Sequence, residues 1–417
     1  MSWPRRYTVV SLCFFALFIC YVDRVNISVA AIVMAEQFDW SDTQKGFVLS
    51  SFFIGYMLAM AVAGWLSTRY GAKRVLGLAL IWWSFFTFVT PFAAYASFGI
   101  LIAARVAMGL GEAATVPASY GMFARWVPEP ERARSVSFFI SGIPLGTLFG
   151  LVATGWIVAE FDWPVAFYAF GLLGLLWAPL WYLLVYDAPH QHPRISESEL
   201  KQITNMASTE EQKHVFPWRS FVRLPAFWAL LINHFCSNMV LYISLAWLPS
   251  YFRDAQGLSI SGAGLYSAAP WLSMFLMTNV GGWLADRMMA GGVSTTNVRK
   301  IMQISGLLGG ATFLLFLQDA QDSTEALLLM CAVLGMASFT VSGFGANPLD
   351  ISPRHAAVLV GISNTVGTIP GIVGVALTGY LLDVTGTYDS VFMMVAAINV
   401  TGAMIWLAFS SGERLVE

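Results

Sequence analysis

Long runs of apolar residues alternate with short polar or Gly/Pro-rich breaks along the whole chain. Six runs precede a polar stretch at 187–224, and six follow it. The runs are 7–34, 44–67, 74–94, 97–122, 133–158 and 164–186, then 225–252, 261–285, 299–318, 324–348, 355–382 and 390–411. Each run is long enough to cross a bilayer as a helix, and none shows the two-residue alternation of a barrel strand. The pattern predicts an all-α integral membrane protein with twelve transmembrane helices.

An internal repeat divides the predicted helices into two bundles of six. The segment Gly64–Arg69 matches Gly282–Arg287. The separation of these two segments along the chain equals the separation between the starts of the first and seventh runs. Parallel repeats of this kind build transporters whose substrate site lies near mid-membrane. We therefore predict an N-terminal bundle at 1–186, a cytoplasmic linker at 187–224 and a C-terminal bundle at 225–417. In the linker, Ser196 and Glu199 have the spacing of a capping box, which predicts a short helix.

The composition excludes a soluble globular protein. Of the 417 residues, 57% are hydrophobic and only 11% are charged, with a mean hydropathy of +0.67. The formal net charge of -2 indicates no nucleic-acid partner. The four cysteines all lie in apolar runs and no metal-ligand spacing is present, so no metal, cofactor or disulfide framework is expected.

Most of the 22 Lys and Arg residues fall on one side of the predicted membrane, together with both termini. Only Lys45 and Arg253 lie in loops on the other side, whereas Arg24 and Arg105 lie inside runs. The positive-inside rule therefore predicts that both termini face the cytoplasm. We call the side of the termini the inner side.

Four charged residues lie well inside predicted spans: Asp23 and Arg24 in the first, Arg105 and Glu112 in the fourth. Each costs about 3 kcal/mol at a helix centre, so a functional role is expected. Arg105 and Glu112 share a helix face, and Tyr21 shares a face with Arg24. We expect Arg105 to pair across helices, with Asp23 as its candidate partner. The alternative is a buried ion-pair network that only holds helices together.

The charge balance of these four residues suggests a coupling mechanism. With both acids ionised the set is formally neutral, so an entering carboxylate adds an uncompensated negative charge. Protonation of Asp23 or Glu112 removes that charge, so an anion and a proton would bind cooperatively. Arg24 and Arg105 are the candidate readers of the carboxylate, because a guanidinium binds it in a bidentate way.

Several motifs of the chain resemble those of known transporters. The segment 64–74, with Thr68, Arg69 and Gly71, resembles the loop signature of the major facilitator superfamily, except that Thr68 stands where most members have an acid. The segments 21–30, 105–112 and 125–132 resemble the anion:cation symporter family, which includes bacterial sugar-acid/proton symporters and the sialin and vesicular glutamate transporter group.

That resemblance implies roles for individual residues. The acid matching Glu112 and, in bacterial members, the acid matching Asp23 carry protons in such transporters, and the arginine matching Arg24 contacts the substrate carboxylate. Arg69 and the second-copy pair Asp286 and Arg287 match the segment that gates conformational change.

Polar side chains in the spans are candidates for reading the rest of a substrate. They are Tyr56 in the second span, His234 and Asn238 in the seventh, and Ser363 and Asn364 in the eleventh. Hydroxyl and amide groups suit a polyhydroxy acid, although they equally serve to bond neighbouring helices. Vesicular glutamate transporters have an arginine where Ser237 aligns, which argues against glutamate.

Together these observations predict a proton-coupled symporter, not an enzyme, that imports an organic anion by alternating access. A sugar acid, either a hexonate or a hexuronate, is the favoured substrate. The alternatives are another carboxylate (sialic acid, a dicarboxylate or an aromatic acid) or an anion exchanger or facilitator. The expected partners are the small anion, protons and the lipid bilayer, and we expect a monomer in a bacterial inner membrane.

Overall fold

Helices form nearly all of the secondary structure in the computed structural model, which describes residues 3–205 and 216–416. The helices before the linker are α1 (Arg5–Phe38), α2 (Asp42–Tyr70), α3 (Ala72–Ala96), α4 (Phe98–Glu112), α5 (Thr115–Trp126), α6 (Glu129–Ile140), α7 (Gly142–Phe161) and α8 (Trp163–Leu184). The linker holds α9 (Glu197–Asn205) and α10 (Trp218–Val222). The remaining helices are α11 (Pro225–Ser250), α12 (Ile260–Ala290), α13 (Thr295–Phe316), α14 (Ser323–Ala337), α15 (Asn347–Ile351), α16 (Ala356–Thr385) and α17 (Asp389–Phe409). These bounds confirm the predicted all-helical fold.

Eleven helical stretches of the described chain are long and apolar enough to cross a membrane. The predicted eighth span is also helical, as α12, but it is not among the eleven. Its glycine, serine, threonine and asparagine residues lower its hydropathy, although its 31 residues are ample to cross a bilayer.

Three predicted spans are interrupted. The fourth breaks between α4 and α5, directly after Glu112, and the fifth breaks at Ser141, between α6 and α7. The tenth is broken over residues 338–346, where a 3₁₀ turn and irregular turns separate α14 from α15. The average hydropathy of a whole run does not locate such short breaks, although residues 338–346 include two serines, a threonine and two glycines.

The predicted linker helix is present as α9, but its capping differs in part from a capping box. Ser196 Oγ accepts the Glu199 N–H at 3.2 Å, as predicted. The Glu199 carboxylate binds the start of α1 instead, where it accepts the N–H groups of Arg5 and Arg6 at 3.1 and 3.0 Å. The Arg6 guanidinium also pairs with Glu199 and with Glu131. An acid at this place stabilises the positive end of α1.

The chain divides into two compact units. The first joins Met1–Ala30 and Ser51–Lys213, and the second joins Ala31–Ser50 and His214–Glu417. The connection between α1 and α2 therefore packs within the second unit, a division that the sequence repeat does not indicate. The predicted domain boundaries at 186/187 and 224/225 remain a prediction.

Within the second unit, the start of α2 is held by charged groups. The Asp383 carboxylate accepts the N–H groups of Asp42 and Thr43 at 2.9 and 2.8 Å, so it caps the positive end of α2. Lys45 is buried, and its Nζ lies 3.5 Å from Asp254 and 5.0 Å from the centre of the Trp247 ring. Lys45, which the sequence pattern placed in a loop on the outer side, is thus a packed and paired residue.

Candidate functional site

The four charged residues predicted inside spans all lie in the first unit and are all buried. Asp23 is 0% exposed, Glu112 and Arg105 are each 1% exposed, and Arg24 is 6% exposed. Asp23 and Arg24 are carried by α1, and Arg105 and Glu112 by α4. The structure therefore brings together on two neighbouring segments the charges that the sequence singled out.

The ion pair at the centre of this cluster joins Arg24 to Glu112. Arg24 Nη2 donates to Glu112 Oε2 at 2.9 Å, and Arg24 Nε donates to the same oxygen at 3.1 Å. The Cys20 Sγ lies 3.1 Å from that oxygen as well. Glu112 Oε2 thus accepts hydrogen bonds from Arg24 and Cys20, whereas Glu112 Oε1 is buried with no hydrogen-bond partner among the described residues.

Three aromatic rings surround the Arg24 guanidinium. Its central carbon lies 4.6 Å from the ring centre of Tyr21 and 4.8 Å from those of Phe52 and Tyr56. Cation–π contacts stabilise a guanidinium that has few water contacts and orient its plane. Tyr21 and Tyr56, both predicted substrate residues, therefore lie beside the predicted reader of the carboxylate.

The predicted partnership of Arg105 with Asp23 is wrong. Arg105 forms no ion pair in the described chain; its Nη1 lies 3.1 Å from Met108 Sδ, and its guanidinium lies 5.6 Å from the Phe52 ring centre. Asp23 Oδ2 instead accepts the indole N–H of Trp83 at 3.1 Å. The physical reason is geometric: Arg105 and Met108 are one turn apart on α4, whereas Trp83 on α3 reaches the carboxylate.

Two glycines set the spacing of α2 and α4 at this cluster. A Cβ at Gly109 would collide with the carbonyl oxygen of Phe52, and a Cβ at Gly55 would collide with that of Val106. Backbone thus lies against backbone, which small residues permit in membrane helices. Beside this close approach, the Phe52 ring centre lies 4.8 Å from the Arg24 guanidinium and 5.6 Å from that of Arg105.

Gly109→Val is expected to destabilise the protein by about 2 kcal/mol, because the new side chain has no space and α2 must move away. The measurement is the melting temperature of purified protein in detergent. Gly99→Val is the matched control, since a Cβ at Gly99 meets no atom within 4 Å. Equal melting temperatures for the two variants would contradict the close approach.

Two predicted polar residues of the second unit already donate to backbone carbonyls, one on a neighbouring helix and one on its own helix. Asn238 Nδ2 donates to the Gly367 carbonyl at 2.7 Å, and Ser363 Oγ donates to that of Val360 at 3.1 Å. Asn364 is half-buried on α16. His234 is half-buried, its ring centre is 4.6 Å from that of Phe344, and its Nδ1 is buried without a hydrogen-bond partner in the described chain. His234 is therefore the better placed of the two candidates on α11 to bind a ligand.

The predicted gating residues are exposed at helix ends. Arg69 lines a cavity of about 460 Å³ in the first unit, together with three further basic residues, Lys73, Arg74 and Arg125. Asp286 is exposed, and the Arg287 guanidinium lies 5.4 Å from the ring centre of Trp283.

An acid from the linker lies beside the signature segment, in which Thr68 stands where most members have an acid. Asp187, at the start of the linker, accepts the backbone N–H of Lys73 at 3.1 Å and pairs with Arg125 at 3.0 Å. Thr68 Oγ1 donates to the Gly64 carbonyl of its own helix. Sequence reasoning missed Asp187, as it missed Cys20 and Trp83; the one available signal for Cys20 was its place one helical turn before Arg24.

Comparison with known proteins supplies independent information on the chain. The family profile described as Major Facilitator Superfamily matches residues 13–298. The ascorbate transporter of Arabidopsis thaliana chloroplasts is 40% identical over 416 residues, which cover 100% of this chain and 77% of that protein. The chloroplastic sodium-dependent phosphate transport protein 1 of the same plant is 39% identical, and the alignment covers 100% of this chain and 81% of that protein. Human sialin is 34% identical, and the alignment covers 98% of this chain and 90% of sialin.

Solved structures show the same fold. The inward-open xylose transporter XylE from E. coli superposes with a TM-score of 0.78 at 15% identity and covers 98% of both chains. The chain also superposes on a bacterial homologue of the human lysosomal transporter Spinster in its inward-facing, occupied conformation. The TM-score is 0.77 at 18% identity, and the superposition covers 98% of this chain and 97% of that one.

The expected location is wrong in one respect. Relatives 37–40% identical over at least 98% of the chain are chloroplastic proteins of rice and Arabidopsis thaliana, which contradicts a bacterial inner membrane. Positive-inside bias could not have distinguished these locations, because it reports the side of a membrane and not which membrane it is. The multi-pass membrane part of the prediction is confirmed.

Proposed function

Because the chain belongs to the major facilitator superfamily, in the anion:cation symporter group that includes sialin, we propose that it is a proton-coupled symporter of a sugar-acid anion. At the coarser level the assignment is direct: the chain is a multi-pass membrane transporter of anions and not an enzyme. Its relatives favour a plastid membrane.

The observation that supports anion binding is the buried Arg24–Glu112 pair. Arg24 keeps its positive charge in a buried, ring-lined place, where its attraction for a carboxylate is little weakened by water. The two parallel N–H groups of a guanidinium match the two oxygens of a carboxylate, whereas the ammonium group of a lysine does not. An anion that reaches this place must compete with Glu112 for the same cation.

That competition provides a route for proton coupling. When a substrate carboxylate takes the Arg24 guanidinium, Glu112 remains buried without its cation, a state that strongly favours the protonated acid. Glu112 Oε1 has no other partner among the described residues, so a proton can be held there without breaking a hydrogen bond. Asp23, bonded to Trp83, is the second proposed proton carrier.

A sugar acid is the proposed substrate class for two reasons. A relative 40% identical over the whole chain is an ascorbate transporter, and ascorbate is a polyhydroxy organic anion. The polar residues His234, Asn364 and Tyr56 can also donate to and accept from hydroxyl groups. Inorganic phosphate is the second candidate, because a relative 39% identical is named as a phosphate transport protein.

The test is uptake into liposomes that contain the purified protein. Labelled D-gluconate, D-glucuronate, ascorbate, sialic acid, glutamate and phosphate are offered with and without an imposed pH gradient. We expect saturable uptake of at least one sugar acid that accumulates against its gradient and is lost when a protonophore is added. Accumulation unaffected by the protonophore would reject proton symport, and saturable uptake of phosphate alone would favour the second candidate.

A further inference from the structure

The interruption of the tenth span is held by side chains of the neighbouring helix α13. We call residues 338–346 the interrupted segment. Its backbone turns tightly, with the N–H groups of Ser342 and Gly343 bonded to the Phe339 carbonyl. A helix broken within an apolar span leaves backbone groups that need other partners, since the surrounding lipid offers none. Two of these groups, the Ser342 carbonyl and the Phe344 N–H, are satisfied from α13.

Arg299 and Gln303 supply these two bonds. Arg299 Nη1 donates to the Ser342 carbonyl at 2.9 Å, and Gln303 Oε1 accepts the Phe344 N–H at 3.1 Å. The two residues are four apart on α13 and therefore share a face. Arg299 is also paired with Asp350 on α15, beyond the interruption. Two hydrogen bonds and the ion pair with Asp350 thus join the interrupted segment and α15 to one helix, α13.

Gln303 uses the rest of its amide to reach a third helix. Its Nε2 donates to Asn233 Oδ1 at 3.0 Å and to Ser237 Oγ at 3.1 Å, both on α11. Gln303 and Asn233 are 0% exposed, so a lost bond here could not be replaced by water. Packing alone does not require an amide, because the residue at the same distance from the start of α3 in the first unit is Leu80, also fully buried.

The interrupted segment in turn sets the position of His234. The Phe344 ring lies 4.6 Å from the His234 ring, centre to centre. A Cβ at Gly367 of α16 would also collide with the His234 ring. His234 therefore packs against both Phe344 and α16, and a displacement of Phe344 would remove one of these two contacts.

We propose that Gln303 is a positioning residue for transport. It holds the interrupted segment through the Phe344 N–H, and through Phe344 it fixes the ring of His234 for the substrate. Only the last step rests on the proposed function, in which His234 contacts the anion; the hold on the segment and on the ring does not. Gln303 itself touches no substrate in this proposal.

The hold on the segment is tested by hydrogen exchange. In Gln303→Leu, the peptide that spans 338–347 should exchange about tenfold faster than in the wild type, because the Phe344 N–H loses its acceptor. Gln303→Glu should restore slow exchange, since a protonated carboxyl keeps the acceptor for Phe344 and offers a donor to Asn233. Thr312→Val is the control on the same helix, where the hydroxyl bonds only the Leu308 carbonyl.

The hold on His234 is tested by chemical modification and by transport. Diethylpyrocarbonate should modify His234 about threefold more in Gln303→Leu than in the wild type, as measured by mass spectrometry of the peptide. The half-saturation concentration for D-gluconate counterflow should rise about tenfold, with the maximal rate little changed. Phe344→Ala should raise it similarly, and the double variant should be no worse than either single variant.

Each arm can overturn the proposal. If residues 338–347 of Gln303→Leu exchange as slowly as in the wild type, Gln303 does not hold the segment. If the effects of Gln303→Leu and Phe344→Ala on transport are additive, Gln303 does not act through Phe344. If the wild type does not transport D-gluconate, the proposed function fails for this substrate while the exchange and modification arms still decide the positioning. Should Gln303→Leu not fold, Ser237→Ala removes one acceptor of the same amide and should shift both measurements in the same direction; no shift would contradict the proposal.

Discussion

Replacing Arg24 with alanine is expected to abolish transport of the anion. The variant loses the buried guanidinium that binds the substrate carboxylate, so apparent affinity should fall by at least about 100-fold. The effect is measured as loss of ligand-induced thermal stabilisation and of counterflow with the sugar acid that the wild type carries. No other substitution considered for this protein should weaken binding as much.

Arg24→Ala also leaves Glu112 buried without its cation, which costs about 3–5 kcal/mol if the acid stays charged. Arg24→Lys separates binding from folding, because it keeps the charge and loses the bidentate fork. We expect Arg24→Lys to fold and to bind about tenfold more weakly. Arg194→Ala, which removes an exposed linker arginine, is the matched control. Wild-type binding in Arg24→Ala would reduce the cluster to a purely structural ion pair.

Replacing Glu112 with glutamine is expected to uncouple transport from the proton gradient. Glutamine resembles the protonated acid, so the carrier can bind and exchange anions but has no proton to release at this position. Accumulation driven by a pH gradient should disappear, whereas counterflow exchange should persist at a reduced rate. Both are measured in the same liposomes, with internal unlabelled anion for the exchange assay.

The control for Glu112→Gln is Glu160→Gln, which neutralises an exposed acid at the end of α7. Full concentrative uptake in Glu112→Gln would contradict a proton-carrying role for Glu112. Asp23→Asn tests the second proposed carrier in the same way. Loss of accumulation in both variants would assign proton movement to the pair, and loss in only one would assign it to that acid.

The helical architecture could be predicted from the sequence because hydropathy in a membrane protein has few solutions. Apolar runs of about 20 residues must form spanning helices, since backbone groups in lipid have to bond within their own segment. The twelve predicted runs correspond to helical spans for this reason, α12 included. The interruptions after Glu112 and at 338–346 were not predicted. The second is held by partners, such as Gln303, that lie elsewhere in the chain.

The membership of the candidate site was predictable to the same degree. A charge inside a span is costly enough to be conspicuous, which is why Asp23, Arg24, Arg105 and Glu112 stood out. The pairing among them was not predictable, since Arg24, and not Arg105, forms the ion pair. Trp83 is ordinary in an apolar run and gave no signal, and Cys20 gave only its place one helical turn before Arg24, although each contacts an acid of the site.

By itself, the sequence determined the fold class, the resemblance to anion transporters and the four buried charges. Each follows from a local feature of the chain: apolar runs must form helices in lipid, motifs are short segments, and a charge inside a span is energetically costly. Tertiary structure alone decided which charges pair, that Asp187 bonds Lys73 and Arg125 beside the signature segment, and that the connection between α1 and α2 packs in the second unit. The reason is that a pairing depends on angles and distances between helices. Those are set by close contacts such as Gly109 against Phe52, which no single segment contains.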